Sequence, residues 1–150
     1  MKTYNELTWL RALISLIPYV GGSVDMILYK KGNNTEKFIA GEDLNDGDNC
    51  YFNKDDGKFY KSSAISDKTG SSLIVKSLQK IKAEKRGIFL TSGKYYSKNL
   101  KMGTLFLGLE PGKLTNIMPQ GTDNVIRIIG IALNDKEEYF NPESDWITHI

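Results

Sequence analysis

From Tyr96 to Ile150 the chain alternates short apolar runs with tight turns. Gly103 to Leu109 is an apolar strand, and Glu110-Pro111-Gly112-Lys113 is a turn. Proline presets φ at the first central position of that turn, and glycine accepts positive φ at the second. Lys113 to Ile117 alternates polar and apolar at period two, which predicts a strand with one buried face. Pro119 to Asn124 is loop chemistry. Val125 to Leu133 is the strongest β run, rich in β-branched residues. Asn134-Asp135 turns the chain again, and Tyr139-Phe140-Asn141-Pro142 and Trp146-Ile147 form an aromatic end.

The first half carries the same grammar in shorter pieces. Ser23 to Lys31, Glu36 to Ala40, Cys50 to Phe52, Lys58 to Lys61 and Gly87 to Leu90 read as strands. Gly32-Asn33-Asn34, Asn53 to Gly57 and Thr91-Ser92-Gly93 read as turns, and Ser62 to Ser72 as a polar loop. Leu73 to Val75 and Ser77 to Ile81 fit strands, while Ser71 to Arg86 also fits a short helix. A faint repeat aligns Leu44, Gly47, Tyr51-Phe52 and Gly57-Lys58-Phe59 with Leu100, Gly103, Phe106-Leu107 and Gly112-Lys113-Leu114. The expected fold is mainly β, a small barrel or sandwich of two related β-meander units with an N-terminal amphipathic helix.

That helix belongs to residues 1–22, set apart from a β domain over 23–150. Thr3 and Glu6 have capping-box spacing, and Pro18 with Gly21-Gly22 stops the helix. Leu7, Leu10, Leu13, Ile14 and Ile17 recur at helical spacing, with Trp9 widening the face. So short a helix must bury that face. It either covers one end of its own domain or docks on another subunit or partner protein. Its polar face holds few lysines or arginines, which argues against a membrane-surface helix.

Composition narrows the choice. The chain has 150 residues, a net charge of +2 and 25% charged residues, a mixed surface with no electrostatic footprint for nucleic acid. Aromatics at 11% and 14 glycines favour a turn-rich β protein. Cys50 is the only cysteine and excludes an internal disulfide. The apolar run Ala12 to Val20 is too short and interrupted to span a bilayer, and no signal peptide is read.

Catalytic chemistry finds little footing. His149, the only histidine, lies next to the last residue and makes a poor base for a serine nucleophile. Asp43, Asp46, Asp48, Asp55 and Asp56 fall in turns and read as solvated turn residues. The run Asn53 to Gly57 lacks the spaced ligands of a calcium loop, so no metal or cofactor is expected. Lys76, Lys80, Lys82, Lys85 and Arg86 read as a solvated basic face or as edge-strand protection, the alternative being a contact with an acidic partner surface. Tyr60, Tyr95, Tyr96 and Trp146 are candidates for stacking on a sugar.

One segment is more specific. Ala40-Gly41-Glu42-Asp43-Leu44-Asn45-Asp46-Gly47-Asp48-Asn49-Cys50-Tyr51, followed by the Gly57-Lys58 hairpin, resembles small β domains of tailed bacteriophage virions. Pro111 to Thr115, Pro119, the Val125–Leu133 run with Gly130, and Phe140-Asn141-Pro142 with Trp146 are similar to the closing segment of such domains. These domains serve as capsid decoration proteins, head-fibre bases and tail-fibre modules. The resemblance spans about residues 24–150 and rests on turn glycines and the order of β runs.

It implies a non-enzymatic virion structural protein, a capsid decoration or head-fibre subunit that binds the particle shell. Its partners would be capsid or other virion proteins and copies of itself, a trimer being favoured, with no nucleic acid and no membrane. The expected location is the virion, after synthesis in a host cytoplasm. The N-terminal helix is not part of the plain decoration domain, so a bare cement protein and a fibre subunit with its own anchor both stay open. The competing reading is a carbohydrate-binding receptor module of a phage tail or fibre.

Overall fold

The computed structural model describes residues 33–150. The expected N-terminal helix, with Leu7, Trp9, Leu10, Leu13, Ile14 and Ile17, and the expected strand Ser23–Lys31 lie outside the described residues. Within them the chain is mainly β, with about 45% of residues in strands and 3% in helix, and its sheet curls into a half-barrel.

Eleven strands are formed among the described residues. They are β1 (Asn34–Ile39), β2 (Asn49–Asn53), β3 (Lys58–Lys61), β4 (Ile74–Ser77), β5 (Arg86–Tyr96), β6 (Gly103–Leu107), β7 (Leu114–Thr115), β8 (Val125–Ile126), β9 (Ile128–Ala132), β10 (Glu137–Phe140) and β11 (Ile147–Thr148). One helical turn, α1 (Asp67–Gly70), interrupts the polar loop. The main sheet runs β3-β2-β4-β5-β10-β9-β6-β7, with β1 paired to β5 and a separate β11–β8 ribbon. All named strand pairs are antiparallel.

β5 is the spine. Its first half pairs with β1 and β4, and residues 93–96 pair with β10. The expected turn Thr91-Ser92-Gly93 is therefore not a turn. The register slips there, Asn34 facing Ser92 and Thr35 facing Leu90, and Gly93 takes φ +133°. The extra residue makes a bulge, which bends and twists a strand without ending it. It lets one strand leave one set of partners and join another. The turn at Glu110–Lys113 does form, closed by Lys113 N–H donating to Glu110 O, with Gly112 at φ +82°.

Two apolar clusters explain why several strands are apolar on both faces. Cys50, Phe59, Val75 and Phe89 alternate onto one side of the first strands, packing with Ala40, Leu44 and Ile81. Tyr51, Ile74 and Leu90 point the other way, into a larger cluster with Tyr95, Leu107, Val125, Ile129 and Phe140. Cys50 is completely buried, and burial pushes its thiol far above the usual thiol range. A parallel bridge between Ala40 and Phe59 draws β3 back toward β1 and curls this part of the sheet.

The expected run Val125–Leu133 is split. Arg127 separates β8 from β9 and turns into the interior, where it is 5% exposed. The stretch 71–86 resolves toward a strand: β4 holds Ile74–Ser77, and Leu44 and Ile81 form an isolated bridge.

Candidate functional site

The basic stretch divides in two. Lys80, Lys82, Lys85 and Arg86 are exposed as expected. Lys76 is not: its whole residue is 2% exposed. Period-two alternation on β4 sends Val75 into one cluster and Lys76 into the interior on the other face. There its Nζ lies 3.3 Å from Glu138 Oε1, with side-chain exposures of 3% and 4%. The ammonium sits 4.8 Å from the ring centre of Tyr95 and 5.3 Å from that of Phe140. Removal from water holds the Lys76 amine below its ordinary pKa, with Glu138 acting in the opposite sense.

Asp46, Gly47 and Asn49 extend the cluster around Tyr95 and Lys76. Tyr95 donates its hydroxyl to Asp46 Oδ1 at 2.8 Å. Gly47 makes room for that hydroxyl, since a Cβ there would sit 2.7 Å from it. Asn49, 2% exposed, is the register partner of Lys76 across β2–β4. Its Nδ2 donates to Gly112 O at 2.9 Å, while its Oδ1 is buried with no hydrogen-bond partner. Glu138 Oε2 is likewise buried and unpartnered. Buried polar atoms are nearly always hydrogen-bonded, so two orphans in one cluster call for an explanation.

Arg127 is satisfied differently. Its Nε donates to Glu143 O at 2.8 Å, and its Nη1 to the carbonyls of Gly70 and Ser72. The guanidinium thus ties α1 and the loop after β10 to the start of β9. Its own burial lowers its pKa. Beside it lies a cleft of about 330 Å³ lined by Ser71, Ser72, Leu73, Thr91, Pro142 and Ser144.

The four candidate sugar-stacking residues do not share a surface. Tyr95 and Tyr96 alternate to opposite sides of β5, Tyr95 buried and Tyr96 exposed. Tyr60 and Trp146 are partly buried against the larger apolar cluster. Tyr60 donates its hydroxyl to Asp56, and its ring lies 6.0 Å from that of Tyr51. Among the turn aspartates Asp48 is an exception, 4% exposed and accepting from Asn45 N–H at 2.7 Å.

The outer face of β5, β10, β9 and β6 is unexpectedly apolar. Register places Lys94, Tyr139, Ile131 and Thr104 in one outward row. Tyr139 and Ile131 are each 44% exposed, and Leu133 and Met102 add to the patch. Lys94 and Glu137, 3.8 Å apart, flank it.

Among the described residues no group of three or more His, Cys, Asp or Glu side chains is arranged to hold a metal ion, and no helix is long and apolar enough to cross a membrane. Comparison with protein-family models, curated proteins and solved structures finds no match.

Proposed function

We propose that this chain is a non-enzymatic structural protein of a phage-type particle, a decoration or head-fibre subunit that binds the shell and self-associates. The observation that carries the reading is the outward apolar row of Ile131 and Tyr139, extended by Leu133 and Met102, on a four-stranded face. Contiguous exposed apolar surface on a sheet marks an interaction site. The β2–β3 and β6–β7 hairpins support the finer reading of a small barrel of two related meander units. In this reading residues 1–22 are the anchor and the trimer is the favoured assembly.

Light scattering on the full chain and on Ile131→Lys tests the assembly role. The wild type is expected as an oligomer and the variant as a monomer with an unchanged far-ultraviolet spectrum. Equal masses for the two proteins would remove this face from the assembly.

A carbohydrate-binding receptor module is the competing reading. It is favoured by Tyr96 and Tyr139, which lie on the same outer face of adjacent strands. Calorimetric titration with glycans separates the two, because a pure decoration subunit binds none.

A further inference from the structure

Three groups in the buried cluster stand in a chemical relation that an ordinary ion pair does not require. Lys76 supplies an amine, Asn49 a carboxamide and Glu138 a carboxyl group, and all three are almost completely removed from water. Asn49 and Lys76 face each other directly across β2 and β4. Ser77 N–H donates to Asp48 O at 2.8 Å, which makes the neighbouring couple a hydrogen-bonded one. Asn49 directs its own N–H to Gly112 O and its carbonyl to Ser62 N–H, both away from β4. The Asn49–Lys76 couple is therefore of the non-hydrogen-bonded kind, in which side chains come closest, with Cβ atoms about 4.5–5.5 Å apart. A lysine stem spans that gap easily.

The two orphan atoms fall on the groups that a condensation would use. Asn49 Oδ1 is an unpartnered acyl oxygen, and Glu138 Oε2 is the unpartnered half of the carboxyl that touches the amine. Tyr95 roofs the site with its ring over Nζ and its hydroxyl against Gly47, two residues before Asn49. Phe140 closes the other side. Water, the competing nucleophile, is kept out, and burial favours the neutral amine that attack needs.

We propose that Lys76 and Asn49 form an intramolecular amide cross-link, promoted by Glu138. Lys76 Nζ attacks Asn49 Cγ and forms the new C–N bond. Glu138 accepts a proton from the attacking nitrogen and returns it to Nδ2 as the Cγ–Nδ2 bond breaks. The products are a secondary amide and one ammonia, so atoms and charge balance and no oxidant is needed. Proximity supplies the drive: register sets Asn49 and Lys76 opposite each other, and Nζ reaches Cγ by swinging from its contact with Glu138. The link would staple β2 to β4 in a chain whose single cysteine cannot form an internal disulfide. It is independent of the assembly role proposed above.

Intact-mass spectrometry of the full chain, purified folded and incubated to constant mass, tests the link. The expected mass is that of the sequence less one ammonia, with a branched peptide joining the Lys76 and Asn49 fragments after digestion. Asn49→Ala and Lys76→Met should each retain their full sequence mass. Glu138→Ala should react far more slowly or not at all. The primary readout is on the wild type, so a variant that fails to fold does not blur the answer. A folded wild-type chain at its full sequence mass overturns the proposal, as does an ammonia deficit that maps elsewhere.

Discussion

Lys76 Nζ and Glu138 Oε1 stand 3.3 Å apart, 62 residues apart in sequence, in a site that water hardly reaches. Two charges buried together gain little over apolar packing, but one charge buried alone is severely penalised. Measured in an Asn49→Ala background, where no cross-link can form, Glu138→Leu should therefore cost about 3–5 kcal/mol in urea unfolding. The double variant Lys76→Met with Glu138→Leu should recover most of that loss. A double variant as unstable as the single one would show that the site depends on its polar chemistry and not on charge balance.

Arg127 serves three backbone carbonyls through one side chain. Each buried acceptor left without a donor costs about 1–3 kcal/mol. Arg127→Met should lower stability by about 3 kcal/mol or more on that scale. Arg127→Lys should recover only part of it, because an ammonium lacks the planar fork. Thermal unfolding followed by circular dichroism reads both.

The hydrogen bond from Tyr60 to Asp56 sets two titrations. It raises the Tyr60 phenol to about 12 and holds the Asp56 carboxyl below its ordinary value. The folded phenol keeps its proton where the unfolded one has lost it, so this contribution is whole below pH 10 and fades between about 10 and 12. Asp56 works the other way. Its contribution is present above the unfolded value of 3.8 and is lost as pH falls through the lower folded value. Ultraviolet titration of Asp56→Asn should show the Tyr60 phenol returning toward the ordinary value.

Gly130 lies in β9 opposite Phe140, and a Cβ there would collide with the backbone oxygen of Tyr139. Backbone in a central pair of strands cannot move aside as a side chain can. Gly130→Ala should cost at least about 1–3 kcal/mol, the usual range for overpacking. Hydrogen exchange should show the loss concentrated in β9 and β10. Uniform exchange across the sheet would mean that the strands absorb the methyl group.

Local chemistry was legible wherever it acts over a few residues. The Glu110–Lys113 turn follows from Pro111 and Gly112, and the β2–β3 hairpin from the polar run ending in Gly57 between two aromatic strands. The mainly β character came from the same short-range pattern. Thr91-Ser92-Gly93 misled because a turn and a bulge draw on the same residues, and the difference lies in which strands stand alongside. Arg127 was hidden inside an apolar run, since its partners Gly70 and Ser72 lie more than fifty residues away.

The sequence by itself determined the Asn53–Gly57 and Glu110–Lys113 turns, the strand-rich class and the solitary cysteine, because backbone preference and side-chain period are local properties. Which face of each strand is inside, and what meets there, was decided only by tertiary structure. Lys76 has the neighbours of a surface lysine in sequence, and only the curl of the sheet over Tyr95, Asn49 and Glu138 takes it out of water. Burial and proximity are properties of the packed chain, and at this cluster they turn an ordinary lysine into its most chemically distinctive group.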